Sequence, residues 1–196
     1  MTVKFALAAA AACLALSACN SSNGSTSALT SAGAQEIDAT YSEYEDRVTS
    51  GELTTTAPTG QASMSGYMGV SGINPEDSST TVIGQLAMDV DFDAGTLTGK
   101  ASDFGIYSGE VLTKEADATG TLAVDGTVGG TDMVATAAGT LSDGETPADL
   151  DLDMSGSFYD DEGALTAFGD ITGTASDTGD SASSVDVDGG FYVTED

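Results

Sequence analysis

The chain has 196 residues, and its 32 Asp and Glu against 4 Lys and Arg give a formal net charge of −28, with no histidine or tryptophan. The missing histidine excludes Ser–His and Cys–His nucleophilic catalysis and removes the commonest general base and metal ligand, which argues against an enzyme. So negative a surface repels nucleic acid and anionic membranes; it suits a basic protein partner or divalent cations.

Residues 1–18 carry Lys4 followed by an apolar run from Phe5 to Leu16. Such a run fits the hydrophobic region of an export signal and is too short to span a bilayer. It closes on Leu16-Ser17-Ala18-Cys19, an order that resembles the lipobox of bacterial lipoproteins. That resemblance implies cleavage before Cys19, lipid on its sulfur and an acylated amino end, hence anchoring to the cell outer membrane. Several acyl chains hold stably where one would not. Cys13 leaves with the leader, so Cys19 is the lipid-attachment residue and the mature chain has no pair of thiols for an internal disulfide.

Residues 19–35 (Cys19, then NSSNGSTSALTSAGAQ) are rich in Ser, Gly, Ala, Asn and Thr and predict a flexible tether. Over residues 36–50, Ile37, Tyr41, Tyr44 and Val48 recur at helical spacing among acids, predicting a short amphipathic helix with Gly51 as its C-terminal stop. The narrow apolar stripe is better suited to docking on the downstream domain than to recognition.

Over residues 60–194 the period changes to two. Val82, Gly84, Leu86, Met88, Val90 and Phe92 alternate with polar positions, as do Leu150, Leu152, Met154, Gly156 and Phe158, and Val185, Val187, Gly189, Phe191 and Val193. Each run predicts a strand with one buried and one wet face. Turn clusters at Asn74–Asp77, Asp93–Gly95, Gly129-Gly130, Ser142–Gly144 and Asp177–Asp180 separate about eight strands, starting near residues 61, 81, 95, 118, 131, 148, 163 and 184. The fold class is therefore all-β, an eight-stranded antiparallel up-and-down barrel whose closure removes sheet edges. Gly66, Gly84, Gly156 and Gly189 fall on the apolar face, where they allow close backbone approach.

The segments Gly60-Gln61-Ala62-Ser63-Met64-Ser65-Gly66, Val90-Asp91-Phe92 through Thr96-Leu97-Thr98-Gly99, Gly156-Ser157-Phe158-Tyr159 and Gly190-Phe191-Tyr192 carry a likeness in order and spacing. Together they resemble the barrel domain of transferrin-binding-protein-B-like surface lipoproteins. The likeness covers residues 60–194 and extends to the lipobox, tether and helix. It implies a non-enzymatic, lipid-anchored binding module for a protein partner.

Asp89-x-Asp91-x-Asp93 suggests a calcium loop, but the sixth and twelfth positions of that template hold Ala94 and Lys100 instead of Gly and Glu. These acids, like Asp149-x-Asp151-x-Asp153 and Asp186-x-Asp188, read as solvated strand faces that leave room for weak surface calcium at most. No catalytic, cofactor or metal residue is assigned; with no histidine and no free thiol, haem ligation has no support. Tyr67, Tyr107, Phe158, Tyr159, Phe191 and Tyr192 are candidates for lining a pocket, with barrel packing the stronger expectation. Two alternatives stand beside a protein-binding role: an acidic envelope lipoprotein without a defined ligand, or a carrier of a small apolar ligand inside the barrel.

Overall fold

In a computed structural model, residues 29–74, 79–145, 147–178 and 180–196 are described. Cys19, the expected signal segment, most of the expected tether and parts of two expected turns (75–77 and 179) lie outside them.

The helix α1 spans Ser31–Thr49, five residues earlier than its apolar stripe predicts. Thr30 is the reason: its hydroxyl accepts the Gly33 N–H at 3.1 Å, satisfying a free first-turn donor. The expected tether thus gives up Ser31–Gln35, which look like linker because they are small. At the other end Gly51, at φ 75°, donates to the Val48 carbonyl at 3.1 Å and stops the helix as expected.

After a two-residue strand β1 (Thr54–Thr55) come β2 (Gln61–Ser71), β3 (Thr81–Asp91), β4 (Thr96–Ser108), β5 (Thr113–Gly120), β6 (Leu122–Gly129), β7 (Asp132–Ser142), β8 (Pro147–Asp161), β9 (Ala164–Asp177) and β10 (Asp180–Glu195). All described pairings are antiparallel, and β10 pairs with β2 to close a ring. β5 and β6 share one place in that ring: β4 pairs with β5 through Phe104–Ser108 and with β6 through Thr96–Ala101. The ring therefore has the eight expected positions. The expected start near 118 is corrected to Thr113, because Thr113–Asp117 carry no apolar alternation to reveal the strand.

Cross-strand partners trace one outer row around the barrel: Ser63, Asp89, Thr98, Asp125, Thr136, Asp153, Thr172, Asp188 and then Ser71. The row returns to β2 eight residues beyond its start. Eight strands with a stagger of eight enclose a space that side chains fill. The next row inward shows how: Met64, Met88, Gly99, Val124, Ala137, Leu152, Gly173 and Val187 set large residues beside small ones. Met64, Met88, Met133, Met154, Leu152, Phe158 and Phe191 are all essentially inaccessible and belong to one cluster.

The inward glycines act as their positions suggest. A Cβ on Gly66 would lie 2.1 Å from the Tyr192 carbonyl oxygen, and one on Gly189 would lie 1.9 Å from that of Gly69. No side chain fits there without parting β2 from β10.

Candidate functional site

The outer row explains how the barrel carries its charge. Acids alternate with hydroxyls, so across it no carboxylate directly faces another, an arrangement that avoids the cost of like charges directly opposite. In this row Ser63 Oγ also donates to Asp89 at 2.7 Å, and elsewhere on the outer face Thr140 Oγ1 donates to Asp149 at 2.6 Å and Ser157 Oγ to Asp132 at 2.8 Å. Asp91 accepts from Gln61 Nε2 at 2.7 Å and from the Ala94 N–H at 2.8 Å. The backbone bond to Ala94, then Gln61, holds its carboxyl below the usual carboxylate range. Asp93 accepts the Gly60 N–H at 3.2 Å. These acids therefore serve strand faces and a turn. Among the described residues no three acidic, histidine or cysteine side chains form a group that could hold a metal ion.

The helix is what breaks the symmetry of the outer surface. Ala34 and Ile37 pack with Ile83, Tyr107 and Leu112 near its N-terminus, joined by Leu29. The chain entry is tied there by Tyr107 Oη donating to the Leu29 carbonyl at 2.8 Å, the Lys114 N–H donating to Ser31 Oγ at 2.9 Å and Gln35 Nε2 donating to the Val111 carbonyl at 2.7 Å. Burial pushes the Tyr107 phenol up to about 12, with Asp117 adding to the shift. Towards the C-terminus Tyr41, Tyr44 and Val48 cover Leu53, Tyr159 and Phe168. The ring centroids of Tyr41 and Phe168 lie 4.9 Å apart, and those of Tyr44 and Tyr192 lie 5.6 Å apart. All four residues of the predicted stripe thus dock on the barrel, at two clusters rather than one.

Arg47 fastens the last turn. Its Nη1 and Nη2 donate to Asp161 at 3.1 and 2.6 Å, its Nε donates to Glu52 at 3.1 Å, and the guanidinium lies 5.9 Å from the Tyr44 ring centroid. The Arg47 bonds hold the Asp161 carboxyl below its usual range against an opposing push from burial, and the same pair raises the guanidinium.

Between the two clusters, helix and sheet part to leave a cleft of about 320 Å³. Tyr41, Tyr67 and Tyr192 wall it, Gly69, Gly189 and Gly190 floor it, and Asp38 and Asp188 line it from the helix and from β10. Tyr67 and Tyr192 are direct partners across the β2–β10 seam, with ring centroids 6.0 Å apart and planes at 54°. Burial first, then neighbouring acids, pushes the Tyr41 phenol up to about 12; burial does the same for Tyr192, against a bond to Thr40. Both rings stay neutral at physiological pH.

Of the aromatic candidates, Phe158 and Phe191 lie inside the barrel, Tyr107 and Tyr159 under the helix, and Tyr67 and Tyr192 in the cleft. The cleft itself was not legible in sequence: Asp38 and Asp188 are far apart in the chain, and only the docked helix brings them together. Cys19 lies outside the described residues. Among the described residues no helix is long and apolar enough to cross a membrane. No protein-family model matches the chain, and no curated protein matches it.

Proposed function

We propose that this chain is a lipoprotein held to the outer membrane through Cys19, with a barrel of the transferrin-binding-protein-B-like kind that binds a basic protein partner without catalysis. The sequence Leu16-Ser17-Ala18-Cys19 supports the anchor and the charge supports the partner's chemistry. The filled interior favours binding on the outer surface over carriage of a ligand within.

The observation that carries the reading furthest is the direction of α1. Its N-terminus is tied to the rim formed by the β4–β5 turn, and its C-terminus to the opposite rim through Arg47 and Asp161. Leu29 lies ten residues after Cys19, a reach of at most about 35 Å when fully extended. A lipid on Cys19 would join the domain at the β4–β5 rim, which carries exposed Val111. The opposite rim, a helix length further from that point of attachment, carries the β3–β4 turn with Asp93, the β8–β9 turn with Glu162, and Glu195-Asp196.

Cys19→Ala should move the protein into the soluble fraction. Protease treatment of intact cells, with a periplasmic protein as leakage control, should then digest the anchored domain. A photo-crosslinker at Asp93 should capture a basic protein, while one at Glu110 on the other rim should not. Retention of Cys19→Ala in the membrane with its signal removed defeats the anchor; protection from protease defeats the cell-surface role; capture at neither rim leaves the envelope-component reading.

A further inference from the structure

The cleft beneath α1 has a chemistry of its own, independent of where the protein is anchored or what its rim binds. Three phenol rings border it, and the face of an aromatic ring attracts a cation most strongly where water is displaced. Two carboxylates, Asp38 and Asp188, add charge from opposite walls. No Lys or Arg lines the cleft. Among the described residues, the ion pairs of Arg47 and Lys114 go elsewhere, to Glu52, Asp161 and Asp117. The two carboxylates therefore give the cleft a negative charge that no Lys or Arg of its lining offsets.

Its shape is set by the backbone. Gly69, Gly189 and Gly190 give a floor without side chains, and the register that pairs Tyr67 with Tyr192 fixes two rings as an angled wall. The volume, about 320 Å³, lies at the small end of ligand pockets. A metal ion would find the wrong surroundings, since hard cations demand several converging oxygens and the walls here are largely aromatic and apolar. An anion would be repelled, and a neutral apolar ligand would leave both carboxylates without any gain in charge pairing. The geometry points to a binding site for a small organic cation with a quaternary ammonium head, seated against the rings of Tyr41, Tyr67 and Tyr192 and paired with Asp38 and Asp188.

Choline is a suitable probe, and 3,3-dimethylbutan-1-ol is its uncharged counterpart of nearly the same shape. Titrations of the full chain, followed by calorimetry and by amide shifts in NMR, should be run in about 0.5 M salt to screen general attraction to the acidic surface. Choline should bind saturably at one site, moving the amides of Tyr67, Gly69, Gly190 and Tyr192. The neutral alcohol should bind at least roughly tenfold more weakly, the scale set by loss of a cation–π contact and its paired charge. Asp188→Asn, an exposed position whose change leaves the packing intact, should weaken choline by several-fold, and Tyr67→Ala should do the same. Asp125→Asn makes the same charge change on the far side of the barrel and should leave binding unaltered. Absence of saturation, equal binding of the alcohol, or equal loss in Asp125→Asn and Asp188→Asn would each overturn the proposal.

Discussion

Gly190 lies directly beneath the ring of Tyr41: a Cβ at that position would sit 2.3 Å from the phenol Cε2 and Oη. One missing methyl group on β10 thus lets the middle of α1 rest on the barrel. Gly190→Ala should force the Tyr41 ring outward, loosening the helix at a cost of about 1–3 kcal/mol, typical of overpacking. Gly129→Ala is the natural comparison, because a Cβ there meets nothing within 4 Å; it should change stability by no more than about 0.5 kcal/mol. Urea unfolding of both variants decides the matter, and equal losses would show that Tyr41 does not depend on the glycine.

That relationship marks the boundary of what the sequence could disclose. Alternation made the inward rows legible, since Leu150, Leu152 and Met154 must share a face whatever surrounds them. It also flagged Gly66 and Gly189 as places of close approach. Nothing in the alternation tells that Ile83, Tyr107, Tyr159 and Phe168, large residues on the outward face, are buried as well. They are covered by a helix far away in sequence, and a pattern of period two carries no information about such a partner. The early start of α1 was hidden for a related reason: Ala34, fully buried, is too small to register as an apolar anchor.

The alternation of Asp with Ser and Thr around the barrel predicts a specific sensitivity. Thr136 stands between Asp125 and Asp153. Thr136→Asp would place three carboxylates side by side on adjacent strands, where like charges directly opposite cost up to about 1 kcal/mol per pair. The loss should be largest at low ionic strength and should shrink as salt shortens the screening length. Unfolding curves at low and high salt test this. A salt-independent loss would mean that packing, not repulsion, governs the row.

Asp161 supplies a pH signature. Its carboxyl is held low by Arg47, so it titrates at lower pH in the folded chain than in the unfolded one. Such a group contributes fully above the unfolded value, and the contribution is lost as pH falls through the depressed folded value. Wild type should therefore exceed Asp161→Asn in stability by a constant margin from about pH 5 upward, with the gap closing below about pH 4. A gap that persisted undiminished in acid would show that the Arg47 contact does not rest on the ionised carboxylate.

Gly84 and Phe104 make the sharpest test of the packed interior. At this point β4 bulges: Gly84 faces both Asp103 and Phe104, because Ile83 pairs with Gly105 and Gln85 pairs with Ser102. Asp103 takes φ 57° to accommodate the extra residue, and the Phe104 ring turns into the space that a side chain on residue 84 would fill. The nearest three atoms to a Cβ on Gly84, at 2.3, 2.4 and 3.0 Å, all belong to that ring. Gly84→Ala alone should cost about 1–3 kcal/mol by overpacking. Phe104→Ala alone should cost about 3–5 kcal/mol by leaving a cavity. The double variant should lose less than the sum by at least about 1 kcal/mol, since the new methyl enters space that the ring has vacated. Gly66→Ala sharpens the contrast, because the atoms nearest its Cβ are backbone of Tyr192 and Val193, which no truncation can remove. Strict additivity of the Gly84 and Phe104 changes would mean that the two sites do not share that volume.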